Sequence, residues 1–225
     1  MSSSPLKGRL YEQVARIGKA LASPKRLELI DLLVQGEKSV ETLAAAADID
    51  IRLASAHLRA LREARLVDTR REGKHIYYRL SGDDISRLWI TVRRTAEDHL
   101  AELRLALAEM VTKPHELHAE GRESLLEKAR KGEVVVIDVR PVGEFQCGHL
   151  PFARSMPLAE ISDRLSELPP DRDIVAYCRG PFCLLSEDAV ALLSARGFRV
   201  RRIADGVGEW AAAGMPVERT KEEAA

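Results

Sequence analysis

Residues 174–197 read IVAYCRGPFCLLSEDAVALLSARG, and the rest of the chain is organised around them. Ile174 to Tyr177 is a short apolar run of strand type. Cys178 opens a tight polar turn containing Gly180 and Pro181. A helix is expected from about Leu184, because Leu185, Ala189, Leu192 and Leu193 recur at helical spacing and Gly197 is a stop signal. A cysteine at the carboxyl end of a strand, opening a loop that feeds a helix, faces backbone N–H groups and the positive end of the helix dipole. Both favour the thiolate, which is the reactive form, and Arg179 adds a formal positive charge beside it. The stretch therefore predicts a nucleophilic Cys178.

Two further blocks flank it: VVVIDVRPVGEFQCGHLPFARSMPL at 134–158 and DGVGEWAAAGMPVE at 205–218. Together the three blocks, in this order, resemble the rhodanese family of sulfurtransferases. The resemblance implies a persulfide mechanism in which Cys178 takes sulfane sulfur from a donor, carries it as Cys–S–SH and passes it to an acceptor thiol or cyanide. The loop of Cys178, Arg179, Gly180, Pro181, Phe182 and Cys183 would cradle the terminal sulfur with its backbone amides, much as an oxyanion hole holds charge. Asp138, Arg140, Glu144 and His149 would support the site by organising the surrounding loops. Arg140 and Glu144 are expected to pair with each other. The chemistry requires no cofactor.

Cys183 leaves two readings open. Five positions after Cys178, it either resolves a Cys178 persulfide or sulfenic acid into a bridge, or it is a small buried residue with its thiol turned away. Cys147 reads as a neutral occupant of the turn EFQCGHL. All three cysteines lie in the C-terminal half, and so few argue against a secreted disulfide framework. No apolar run approaches the roughly 18 residues of a spanning helix, and the N-terminus MSSSPLKGR has no apolar signal core. A soluble, cytoplasmic protein without membrane partners is expected.

The remaining C-terminal pattern alternates strands with helices. A helix at 122–130 leads into the β-branched strand 134–137, a further helix is expected over 158–165, and another strand over 199–203. This is a small α/β domain with a parallel sheet, with the thiol at the carboxyl ends of its strands.

The N-terminal half reads differently. Leu10, Val14, Ile17 and Leu21 step as an amphipathic helix. A second helix opens at Ser23-Pro24 and runs to Gly36. Ser39 caps a third, and Asp50 caps a fourth whose Ala54, Leu58 and Leu61 face inward. After Ala64 the period changes to two β-like runs, 67–71 and 75–80, joined around Glu72-Gly73-Lys74. Helices followed by a basic hairpin make a mainly α, winged helix-turn-helix pattern. Lys plus Arg and Asp plus Glu balance at 35 each, but from Arg52 to Arg79 eight basic residues stand against three acidic ones. The fourth helix would enter the major groove, presenting Arg52, Ser55, Ala56, His57 and Arg59 to base edges and phosphates, with Arg70, Arg71 and Lys74 on the hairpin meeting the backbone.

SPKRLELIDLL, SAHLRALREARLV and GKHIYYRL within residues 10–80 are similar to the ArsR family of winged-helix bacterial repressors. One departure is Arg65, where the family usually has glycine ending the recognition helix. From Asp84 to about Val111 a single apolar stripe predicts one long helix, and the resemblance implies that it pairs with the first helix across a two-fold axis. The expected partners are therefore a second copy of the chain, double-stranded operator DNA with an inverted repeat, a small sulfane-sulfur donor and a thiol acceptor. Many family members sense metals, but the third helix here contains no cysteine. Asp98, His99 and Glu102 are an incomplete ligand set, and His115 with His118 lacks a third ligand, so no metal site is assigned.

The expected organisation is a DNA-binding and dimerisation domain at 1–112, a linker at 113–121, a rhodanese domain at 122–220 and a tail at 221–225. Its function reads as a DNA-binding regulator, a repressor responsive to reactive sulfur or redox state through Cys178. The alternatives are a sulfurtransferase that the DNA-binding half only localises, a repressor whose C-terminal module is inert to sulfur, and a metal-responsive repressor.

Overall fold

The computed structural model of the protein describes residues 5–110 and 121–220. Val111, the linker residues before 121 with His115 and His118, and the tail at 221–225 lie outside them. The chain divides into two compact units, one ending at Trp89 and one beginning at Ile90.

The first unit runs α1 (Pro5–Leu21), α2 (Pro24–Val34), β1 (Lys38–Ser39), α3 (Val40–Ala46), α4 (Ile51–Glu63), β2 (Val67–Glu72) and β3 (His75–Leu80), and ends in the start of α5 (Asp83–His99). Two expected caps are in place: Thr42 N donates to Ser39 Oγ at 3.2 Å and Leu53 N to Asp50 Oδ1 at 2.9 Å. Each satisfies an orphan N–H of a helix start, worth about 1 kcal/mol. Ser23 precedes α2 with Pro24 at its first position, but its side chain makes no capping bond. The sheet is antiparallel in the order β1-β3-β2, with Arg70 opposite Tyr77 and Glu72 opposite His75. Leu29, Ile30, Leu43, Leu58 and Leu61 are fully buried, and each contributes roughly 1.5–3 kcal/mol of hydrophobic stabilisation.

The second unit adds α6 (Ala101–Met110), α7 (Arg122–Lys131), β4 (Val134–Asp138), α8 (Val142–Cys147), β5 (Arg154–Ser155), β6 (Asp173–Tyr177), α9 (Leu185–Ala195), β7 (Val200–Arg202) and α10 (Val207–Ala212). The single long helix expected from Asp84 is interrupted at Leu100. Arg104 Nη1 donates to Glu97 O at 3.1 Å and Asp98 O at 2.8 Å, satisfying carbonyls that end α5. The helix expected over 158–165 is instead two tight 3-10 turns, Leu158–Glu160 and Leu165–Glu167. Apolar residues at 158, 161, 165 and 168 suit tight turns as well as an α-helix, and Ile161 and Leu168 are buried by them.

The four strands are parallel in the order β5-β4-β6-β7. Both faces of the central pair are covered, which is why β4 and β6 read as unbroken apolar runs. On one face Val135, Ile137, Ile174, Ala176 and Cys178 pack with Ala189, Val190 and Leu193 of α9. On the other, Val134, Val136, Val175 and Tyr177 pack with Leu125 of α7 and Trp210 of α10. Strand alternation thus aims Cys178 toward α9 and Tyr177 away from it. Among the described residues, no helix is long and apolar enough to cross a membrane.

Candidate functional site

Cys178 leaves the carboxyl end of β6 with its side chain on the α9 face and is only 2% exposed. Its Sγ lies 3.2 Å from Ser186 Oγ and, as a thiol, donates to Cys183 O at 3.4 Å. The Cys183 thiol donates a hydrogen bond to the same sulfur. That bond, against the opposing cost of burial and with help from Ser186 and the backbone of Gly180 and Ser186, lowers the Cys178 thiol from 9.0 to about 6. Cys183 moves the other way: the bond to Cys178 and its own burial push its thiol up. The pair therefore holds one proton across neutral pH, and it sits on Cys183.

Arg179, expected to lower the thiol by its charge, makes its ion pair with Glu144. Its Nε and Nη2 donate to Glu144 Oε2 and Oε1 at 3.0 and 2.9 Å, a bidentate pair with a carboxylate that is 5% exposed. Glu144 offsets most of its charge, and its remaining electrostatic interaction with Cys178 is smaller than the hydrogen bonds that lower the thiol. Arg140, expected to pair with Glu144, makes a bidentate pair with Asp138 at 2.6–3.1 Å, donates to Gly148 O at 2.7 Å and also interacts with the Glu144 charge. Burial opposes the Arg140 charge, but hydrogen bonding and the charge of Asp138, with a smaller contribution from Glu144, raise its pKa.

Asp138 also accepts from Tyr177 Oη at 2.5 Å, and Tyr177 Oη accepts from Leu150 N at 3.1 Å. Burial first, then the Asp138 charge, keeps this phenol protonated. Asp138, Arg140 and Tyr177 thus lock β4, β6 and the segment before Leu150 together beneath the loop. His149 stacks on Phe145 at 3.7 Å between ring centroids and its Nδ1 lies 2.9 Å from Phe145 O, so it braces α8. Pro181, Phe182 and Cys183 are half-buried, and Cys147 is exposed at the end of α8.

The sequence reading missed four contributors: Ser186, Tyr177, Gly206 and Glu209. A Cβ on Gly206 would stand 2.4 Å from Arg179 O and 2.8 Å from Cys178 O, so only glycine lets the two backbones approach. Gly180 has φ 136°, and a Cβ there would meet Glu209 Oε2 at 2.9 Å. Glu209 itself accepts from Gly206 N at 2.7 Å and starts α10. A glycine just after a strand was the available signal for Gly206. Ser186 carried none, because serine in a first helical turn reads as ordinary.

In the first unit, Arg52, Ala56 and Arg59 are exposed on α4, Ser55 and His57 are half-buried, and Ala54, Leu58 and Leu61 face the core. Arg71 and Lys74 are exposed at the hairpin, with Arg71 Nε donating to Gly73 O at 3.1 Å. Arg70 is tied down: it donates to Glu37 Oε1 at 2.6 and 3.0 Å and to Glu72 Oε2 at 2.6 Å, and lies 4.9 Å over the Tyr77 ring. Two carboxylates neutralise it, leaving it the least available of the basic residues named for phosphate. Arg65 has φ 60°, the left-handed conformation that glycine adopts without strain.

Comparison with known proteins matches residues 23–69 to the bacterial regulatory protein arsR family and residues 122–213 to the rhodanese-like domain. The HTH-type transcriptional regulator Rv0324 of Mycobacterium tuberculosis is 47% identical over 215 residues, covering 96% of this chain and 94% of that protein. A biofilm growth-associated repressor of Agrobacterium fabrum is 51% identical over 76 residues, 34% of this chain and 65% of the repressor. A sulfurtransferase of Allochromatium vinosum is 37% identical over 97 residues, 42% of this chain and 89% of that protein. Among solved structures, a homodimeric winged helix-turn-helix DNA-binding domain, Mb0332 of Mycobacterium bovis, is 46% identical, covers 45% of this chain and 94% of its own, and aligns with a TM-score of 0.42.

Proposed function

Because the chain belongs to the arsR family of bacterial transcriptional regulators and carries a rhodanese-like domain, we propose that it is a repressor whose hold on DNA responds to reactive sulfur at Cys178. The observation that carries this reading is the lowered Cys178 thiol on a chain that also presents a basic winged helix. At neutral pH the sulfur is a thiolate, the form that attacks sulfane sulfur. With thiosulfate as donor, Cys178 Sγ attacks the outer sulfur, the sulfur–sulfur bond breaks and sulfite leaves, so Cys178 becomes a persulfide with no other reactant consumed. The near-complete burial of Cys178 favours small donors.

DNA is engaged by Arg52, Ser55, Ala56, His57 and Arg59 of α4 at base edges and phosphates, with Arg71 and Lys74 of the hairpin on the backbone. Two copies of the chain read an inverted repeat, so α4 of each enters successive major grooves. The DNA-binding part extends over 1–112, the sulfur part over 122–220, and 113–121 joins them. Persulfidation shifts the protein between states of different DNA affinity, which requires that the two states interact differently with the loaded loop.

The test is DNA binding to the protein's own promoter region before and after a persulfide donor, in wild type and Cys178→Ser. A donor-dependent change that disappears in Cys178→Ser supports the reading; unchanged binding in both refutes it. The similarity to a protein named as a sulfurtransferase supports a second reading, steady sulfur transfer. Turnover of thiosulfate that depends on Cys178 while DNA affinity ignores the donor would select it.

A further inference from the structure

The lowered Cys178 thiolate does not stand alone. Cys183 closes the same six-residue loop, Cys183 N donates to Gly180 O at 3.1 Å to tighten the turn, and Cys178 Sγ rests 3.4 Å from Cys183 O. Hydrogen bonding with the Cys183 side chain is also the largest cause of the lowered Cys178 thiol. The two cysteines therefore face each other across one tight turn, with the Cys183 backbone against the Cys178 sulfur. Cys147, exposed at the end of α8, takes no part in this contact network.

We propose that Cys183 is the resolving thiol of this site, attacking the inner sulfur of a Cys178 persulfide to form a Cys178–Cys183 disulfide and release hydrogen sulfide. The inference rests on the persulfide reading above and deepens it. In the step, Cys183 Sγ forms a bond to Cys178 Sγ, the bond from Cys178 Sγ to the sulfane sulfur breaks, and the electron pair leaves with that sulfur as HS⁻. The Cys183 proton goes to the departing sulfide. The two protein sulfurs are oxidised by the sulfane sulfur, which is reduced to sulfide, so no further oxidant is needed. A small acceptor dithiol or two thiols return the site to its starting state.

Three features favour the inner sulfur as the point of attack. Cys183 packs against Cys178 Sγ, the sulfur that becomes the inner one of the persulfide. Sulfide is a good leaving group because its conjugate acid is stronger than an ordinary thiol. The charge that holds the Cys183 proton in place belongs to Cys178, and in the persulfide it moves outward to the terminal sulfur, which frees Cys183 to ionise. An attacking thiol held in the same loop also outcompetes thiols in solution, because its approach is already paid for in lost freedom. The consequence is a covalent state that outlives the persulfide and records exposure to a donor after the donor is gone.

The test uses the full chain carrying Cys147→Ser, treated with thiosulfate, thiol-blocked and measured by intact mass, with released sulfide assayed in parallel. The expected result is loss of two hydrogens from the chain and one sulfide per chain, while the same protein with Cys183→Ser retains one added sulfur and releases none. Trypsin supplies an independent readout on the unsubstituted pair. Cleavage after Arg179 separates the two cysteines, so the peptides 173–179 and 180–196 stay joined only when the bridge has formed. If the Cys183-containing chain keeps the added sulfur and the peptides separate, Cys178 carries a persulfide and the resolving role is overturned. If neither protein gains sulfur or forms the bridge, the persulfide reading itself fails and the inference falls with it. A bridge that retains the added sulfur would overturn the displacement step.

Discussion

Replacing Ser186 with alanine tests what makes Cys178 acidic. The hydroxyl lies 3.2 Å from Cys178 Sγ on a residue with no solvent exposure, so water does not replace it when it is removed. A hydrogen bond to a charged group is worth about 1.5–3 kcal/mol, and a tenfold change in ionisation corresponds to about 1.4 kcal/mol. Ser186→Ala should therefore cut the thiolate fraction roughly ten- to a hundredfold at a pH near the wild-type midpoint of about 6. The assay is thiolate ultraviolet absorbance against pH in a Cys147→Ser background, with Cys178→Ser as the blank. The stability consequence has a definite sign. A thiol whose folded value is depressed from 9.0 to about 6 contributes stability that is full above 9.0 and is lost as pH falls through about 6. The denaturation midpoint of the wild type should thus climb with pH across that window relative to Cys178→Ser, and Ser186→Ala should climb less. Coincident titration midpoints for wild type and Ser186→Ala would refute the argument, as would a wild-type midpoint at the ordinary thiol value.

Three further outcomes follow from the geometry. Gly206→Ala places a methyl 2.4 Å from Arg179 O, so backbone must move; the urea midpoint should fall by an amount equivalent to about 1–3 kcal/mol, with the Cys178 titration displaced as well. Arg65→Gly relieves a left-handed residue at φ 60°, a strain of about 1–2 kcal/mol offset by about 0.5–1 kcal/mol of added chain freedom. Equilibrium unfolding should show a gain of up to about 1.5 kcal/mol, and a loss would mean that the Arg65 side chain holds the turn. For DNA, each phosphate contact contributes about 0.9 to the logarithmic salt slope, so Arg59→Ala should lower the slope by about that amount. Arg70→Ala should leave it unchanged, because Glu37 and Glu72 already neutralise that guanidinium.

Much of the fold was legible because its signals are local. Ser39 and Asp50 announced α3 and α4 by side-chain chemistry that acts within three residues. The alternation from Val67 to Leu80 fixed the hairpin, since its register follows from the turn at Gly73. The unbroken runs of β4 and β6 marked a sheet covered on both faces. What escaped lacks such signals: β1 and β5 are two residues long, α8 and α10 span six, and the turns over 158–168 share their apolar spacing with a helix. The break at Leu100 escaped because the apolar stripe runs through it unbroken, and the Arg104 contacts that satisfy the carbonyls at the end of α5 are not encoded in periodicity.

The site was legible in its nucleophile but not in its electrostatics, and the reason is geometric. Sequence adjacency suggested that Arg179 is the main stabiliser of its neighbour, but successive side chains leaving a strand point to opposite faces, and its charge acts on Cys178 only as a smaller influence. Cys178 therefore turns toward α9 and Arg179 toward Glu144. The groups that meet the sulfur are those that the loop and the first turn of α9 return to the same face, Cys183 and Ser186, five and eight residues on. An exposed arginine would have made the thiolate sensitive to salt. Hydrogen bonds from neutral donors, which do most of the lowering here, depend instead on the shape of the loop, which Gly180 and Gly206 fix by admitting backbone and carboxylate where a side chain would stand.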